Sequence, residues 1–162
     1  MEFHTTLKKT YDSMKIKIFL FLLIAITVSA YAFNLFSSQN GAEPWTQQQL
    51  LDPSALAKTI GNPGIAQPIV YSVGPQAVIK GSIEIGPTVV PENLSKLQQK
   101  LEKLPRNSEI VIYCGCCPFD RCPNIRPAVE LLKKLQFSNF KLLNLPHNIK
   151  VDWIDYGYPM SE

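Results

Sequence analysis

Glu109-Ile110-Val111-Ile112-Tyr113-Cys114-Gly115-Cys116-Cys117-Pro118-Phe119-Asp120-Arg121-Cys122-Pro123-Asn124-Ile125-Arg126 is the stretch that decides the fold. Residues 109–113, apolar after Glu109, read as a buried strand, and over residues 127–135 Ala128, Leu131, Leu132 and Leu135 recur at helical spacing. The segment between is a loop joining a strand to a helix, and it holds every cysteine of the chain. A thiol in such a loop meets backbone N–H groups and the positive end of the helix, which favour thiolate over thiol. Arg121 and Arg126 add positive charge from side chains.

Working back towards the N-terminus, Pro91 opens an expected helix whose Leu94, Leu97, Leu101 and Leu104 form one apolar stripe. Residues 78–87 alternate apolar side chains around Gly81, which predicts a bend and a short strand. Residues 68–73 read as a strand stopped by Gly74-Pro75. Asp52 followed by Pro53 marks a helix start, with Leu56, Ala57 and Ile60 facing inward and Gly61 at its end. Thr46 and Gln49 have the spacing of a capping box. Towards the C-terminus, residues 140–143 predict one more strand. Strands alternating with helices in this way imply an α/β fold, a mainly parallel central sheet flanked by helices on both faces. Ligands of such sheets bind at the carboxyl ends of strands, where the cysteine loop falls.

The first 44 residues are expected to lie outside this domain. Met14-Lys15-Ile16-Lys17 is basic, residues 18–28 are apolar apart from Thr27, and Ala30-Tyr31-Ala32 is a small-x-small cleavage pattern. Together they predict a secretory signal peptide over residues 1–32, with Met14 as an alternative start. The apolar run is shorter than the roughly 20 residues that span a bilayer, so no membrane association is expected once the signal is removed. Residues 33–44 read as a flexible leader and residues 45–162 as one domain, exported to the periplasm or secreted.

Of the 16 basic and 13 acidic residues of the chain, twelve and eleven lie beyond Ala32, a net charge of +1 that gives no nucleic-acid footprint. Exported proteins tend to pair cysteines as disulfides that staple distant segments. Four cysteines within residues 114–122 serve no such purpose, so the cluster is read as chemical.

The order of these parts resembles a rhodanese-like (sulfurtransferase) domain over the whole of residues 45–160. The resemblance is carried by Trp45, Leu51-Asp52-Pro53 and Leu56-Ala57 at the opening, and by the glycine-marked segment 79–86. It continues through Ile110-Val111-Ile112-Tyr113-Cys114, the helix over residues 128–137, and Trp153 with Gly157-Tyr158-Pro159 at the close. Three departures stand out. Ser72-Val73-Gly74 replaces the Asp-x-Arg common in the family, and six residues rather than four separate Cys114 from Arg121. Tyr113 stands where the related phosphatase branch has a histidine.

The resemblance implies that Cys114 accepts a sulfane sulfur as a persulfide and passes it on, covalent catalysis in two steps. Cys116 is a rival because four residues separate it from Arg121, and Cys122 is a second rival or a resolving thiol. Arg121 would hold an anionic donor or persulfide. Gly115, Cys117, Phe119, Asp120 and Arg126 would form the substrate-binding surround. Asp120 would tune the loop or cap the following helix. The expected partners are a small-molecule sulfur donor, thiosulfate by default, and a thiol or cyanide-like acceptor; no cofactor is expected, and the protein is expected to be a monomer. His147, on the loop after the last strand, is the one histidine beyond Ala32.

Two alternatives use the same residues. Cys114, Cys116, Cys117 and Cys122 supply four soft ligands suited to copper or zinc. Against this, their spacing is unlike that of ordinary zinc sites, and the adjacent Cys116 and Cys117 side chains are expected to point apart. The other alternative is thiol–disulfide redox chemistry. A non-catalytic rhodanese-like binding module is disfavoured by the crowding of the cysteines.

Overall fold

The computed structural model describes residues 43–62 and 64–162. The expected signal segment, the alternative start at Met14 and the leader up to residue 42 lie outside the described residues. Pro44–Glu162 forms a compact unit. Among the described residues no helix is long and apolar enough to cross a membrane.

Five strands make one sheet in the order β1-β5-β4-β2-β3, and all pairs are parallel. They are β1 Leu50–Leu51, β2 Ile69–Ser72, β3 Ile83–Glu84, β4 Ile110–Tyr113 and β5 Phe140–Leu143. The central strand β4 is buried at every position. Its neighbours lie in register, Ile69 to Ile110 and Ser72 to Tyr113 on one side and Ile110 to Phe140 on the other.

Because side chains alternate along a strand, the sheet divides its apolar residues between two cores. Tyr71, Ile110, Ile112 and Leu142 meet Leu97 and Leu101 of α2 (Pro91–Leu101) and Ala128, Leu131 and Leu132 of α3 (Ile125–Lys134) on one face. On the other face Val70, Val111, Tyr113 and Leu143 pack with Leu56 and Ala57 of α1 (Pro53–Ile60) and with Trp153. Each fully buried leucine contributes about 2 kcal/mol of transfer free energy. The α/β architecture with helices on both faces is therefore as expected, and it is consistent with a rhodanese-like fold.

Local signals explain the helix starts. The Asp52 carboxylate accepts the Ser54 N–H at 2.8 Å, capping α1, and hydrogen bonds from Ser54 hold that carboxyl below its ordinary range. Gln49 Oε1 accepts the Thr46 N–H at 2.9 Å around a 3-10 turn, Gln47–Gln49, so the capping box is present on a shorter element than an α-helix.

One detail differs from expectation. Helix α3 starts at Ile125, two residues ahead of Pro127. The first-turn N–H groups of a helix have no partner within it, so a proline there loses nothing. The closing segment forms a π-helical turn, Lys150–Ile154. Trp153 is fully buried and donates from Nε1 to the Pro159 carbonyl at 3.0 Å. Tyr158 packs edge-on against Trp153, whereas Tyr156 is 68% exposed.

Candidate functional site

Cys114 is the first residue after β4, at the carboxyl end of the strand in the middle of the sheet. The chain then turns through Gly115-Cys116-Cys117-Pro118 into a 3-10 turn, Phe119–Arg121, and reaches α3 through Cys122-Pro123-Asn124. This path gathers the four sulfurs. All lie within 4.8 Å of one another, with Cys114 Sγ 3.3 Å from Cys116 Sγ and Cys116 Sγ 3.4 Å from Cys117 Sγ. The expectation that Cys116 and Cys117 point apart is thus corrected, because the turn directs both side chains to the same side. All four cysteines are free thiols.

The sulfurs differ in access. Cys114 is 3% exposed and Cys122 fully buried, Cys117 is half-buried, and Cys116 reaches solvent. They also differ in charge. The Cys114 thiol is pulled down to about 5, first by a hydrogen bond from the Cys122 thiol, with further donation from the Cys116 backbone N–H, the Asn124 side chain and the Cys116 thiol. These donors together outweigh its burial, which acts in the opposite direction. Cys116 is pushed up to about 12 by burial and by the neighbouring Cys114 and Cys117. Cys122 is raised, first through its hydrogen bond to Cys114 and then by burial. At neutral pH these shifts favour the thiolate form of Cys114 and the thiol form of Cys116 and Cys122.

Asn124, whose role the sequence does not reveal, is one of the donors to the Cys114 sulfur. It is buried, its Nδ2 lies 3.5 Å from Cys114 Sγ, and its Oδ1 accepts the Val89 N–H at 3.4 Å. The buried Thr88 hydroxyl donates to the Asn124 carbonyl. The signal available in the sequence was an asparagine beside the start of the helix, a preferred capping residue. Its side chain is turned to the sulfur instead, and it makes no cap hydrogen bond. Asp120, expected to tune the loop or cap the helix, is not the cap: Asn124 occupies that position.

The remaining loop residues hold its shape. The Phe119 ring is buried against Trp45 with centroids 4.9 Å apart, and its N–H donates to the Leu145 carbonyl at 2.9 Å. Arg126 lies over the Trp45 ring at 5.3 Å and reaches the Asp120 carbonyl at 3.3 Å and the Cys122 carbonyl at 3.5 Å. It thereby ties the middle of the 3-10 turn and the residue after it to the start of α3. Arg121 is exposed at the end of the 3-10 turn.

Close approach is also built in. A Cβ on Gly115 would lie 2.7 Å from Ile149 Cβ, and one on Gly74 would lie 3.1 Å from the Gly115 nitrogen and 3.3 Å from Cys114 Sγ. Gly74 thus leaves the room that the cysteine loop occupies. The loop after β5 does approach the site, since Ile149 N–H donates to the Gly115 carbonyl at 3.0 Å. His147 is 67% exposed on that loop, its Nδ1 2.9 Å from the Asp152 carboxylate.

Tyr113 points away from Cys114. Its hydroxyl accepts the Val78 and Ile79 N–H groups at 2.9 and 3.3 Å and lies 3.0 Å from Ser82 Oγ, anchoring the segment before β3.

Compared with protein-family models and with curated proteins, the chain matches none.

Proposed function

We propose that the chain is an exported rhodanese-like sulfurtransferase or sulfur carrier, working in the periplasm or outside the cell, with Cys114 as its nucleophile. The observation that carries this reading is the placement of the Cys114 sulfur at the carboxyl end of the central strand, 3.3 Å from the Cys116 sulfur and 3.5 Å from Asn124 Nδ2, among donors that lower its thiol. The parallel sheet and the resemblance of the sequence support it as well.

The Cys114 thiolate attacks the outer sulfur of a donor of the thiosulfate class. The S–S bond of the donor breaks, and sulfite leaves with the bonding electrons. The persulfide on Cys114 then gives its terminal sulfur to a nucleophile; with cyanide, thiocyanate leaves and the thiolate returns. The exposed Arg121 supplies positive charge to the incoming anion. The reaction is tested by thiocyanate formation from thiosulfate and cyanide. Wild-type protein catalyses it and Cys114→Ser does not; equal activity in the two overturns the assignment.

A second reading, a soft-metal site, is favoured by the convergence of four sulfurs within 4.8 Å. Four thiolates about 2.3 Å from a tetrahedral ion stand about 3.8 Å from one another, so the donor set fits zinc or copper. Cys114, Cys116, Cys117 and Cys122 would hold such an ion as a thiophilic Lewis acid. A chelator separates the readings, because it lowers the stability of a metal-held loop and leaves that of a persulfide carrier unchanged.

A further inference from the structure

We propose that Cys116 is a relay, taking the sulfane sulfur from Cys114 and presenting it at the surface to thiol acceptors that cannot reach Cys114. The inference rests on the sulfur-carrier reading and extends it to the second half of the reaction.

Access poses the problem. Cys114 is 3% exposed, enclosed by Gly74, by Asn124 and by a loop that leaves no room for a Cβ between Gly115 and Ile149. A small inorganic nucleophile such as cyanide has least to carry past that enclosure, whereas a thiol on a peptide or protein must bring its own chain with it. Cys116 answers the problem, being exposed with its sulfur 3.3 Å from that of Cys114. A sulfane atom on Cys114 is one bond of about 2.0 Å from Cys114 Sγ, within reach of the Cys116 sulfur. Cys122 is nearby but fully buried, so it offers no exit to the surface.

The step balances without an oxidant or reductant. The Cys116 thiol passes its proton to the terminal sulfur of the Cys114 persulfide, and the Cys116 thiolate attacks that sulfur. The bond between Cys114 Sγ and the sulfane atom breaks, a bond from Cys116 Sγ to it forms, and the electron pair returns to Cys114. The products are a Cys116 persulfide bearing the proton and a Cys114 thiolate. Direction follows from access and contacts: Cys114 keeps the Asn124 amide at 3.5 Å as a donor to the departing sulfur, and acceptors draining the exposed Cys116 pull the exchange forward. An external thiolate then takes the sulfur from Cys116 in the same kind of exchange.

The test loads reduced wild-type protein with thiosulfate, alkylates it, and locates the added sulfur by fragmentation within the loop peptide; transfer to reduced glutathione is timed in parallel. The relay places the added sulfur on Cys116 in the wild type and on Cys114 in Cys116→Ser. It also slows transfer to glutathione by about tenfold or more in that variant and in Cys116→Ala, since the exposed exchange partner is gone. Sulfur remaining on wild-type Cys114, with glutathione transfer unaffected by either variant, overturns the relay and leaves the carrier reading intact. So does loss of two hydrogens with release of sulfide, which marks a Cys114–Cys116 disulfide. Sulfur uptake by Cys114→Ser likewise overturns it, because the relay admits sulfur through Cys114. If the wild type takes up no sulfur, the carrier reading fails and the relay with it.

Discussion

Asn124 Nδ2 lies 3.5 Å from Cys114 Sγ, joining the residue just before α3 to the residue just after β4. Because Thr88 and Val89 hold the other polar atoms of Asn124, its amide is fixed towards the sulfur before any substrate arrives. Replacing it by alanine removes a donor to a charged acceptor, worth about 1.5–3 kcal/mol. Asn124→Ala is expected to raise the Cys114 thiol by about one pKa unit or more. Titration of the ultraviolet thiolate absorbance measures this shift, and an unchanged midpoint would remove Asn124 from the account.

The same titration on the unaltered protein is expected to show one thiolate forming with a midpoint near the value of about 5 assigned to Cys114, and to lose that step in Cys114→Ser. The linked effect on stability has a definite sign. The folded-state value lies below the ordinary thiol value of 9.0, so the stabilisation is full above that pH and is lost as pH falls through about 5. Denaturant midpoints across that window should therefore fall more steeply towards acid in the wild type than in Cys114→Ser.

Gly115→Ala is expected to destabilise the domain by about 1–3 kcal/mol, the usual result of forcing a methyl group into packed surroundings. The new Cβ would meet the β-branched Ile149 side chain at 2.7 Å. In Gly115→Ala, Ile149→Ala should recover part of that loss, because it removes the atoms in conflict. Urea unfolding of the single and double variants checks the pair, and strict additivity would contradict the contact.

Tyr113→Phe is expected to cost about 1–3 kcal/mol by leaving buried donors of the 78–82 segment without their acceptor. Sulfur uptake should survive it, since the hydroxyl is turned away from the cysteine loop. Thermal melting together with thiosulfate loading distinguishes this structural role from participation in the site.

Much of the fold was legible because strong local signals agreed. The apolar run 110–113, the leucine stripe of α2 and the Asp52-Pro53 start each fall where the structure has β4, α2 and α1. Strand β1 was not legible: Leu50–Leu51 is two residues long and becomes a strand through its pairing with Leu142 and Leu143 of β5. The site was legible in its thiols and not in their supports. Arg126 and Phe119 looked like substrate contacts, yet both meet Trp45, a residue far away in sequence. Convergence of the adjacent Cys116 and Cys117 sulfurs depends on the path of the turn, which residue spacing does not encode.

If Cys114 carries sulfur covalently, the intact mass of reduced protein rises by one sulfur atom on treatment with thiosulfate. Cyanide removes that atom, and Cys114→Ser never acquires it. A mass unaltered by thiosulfate, or an adduct that persists in Cys114→Ser, would contradict covalent carriage by Cys114.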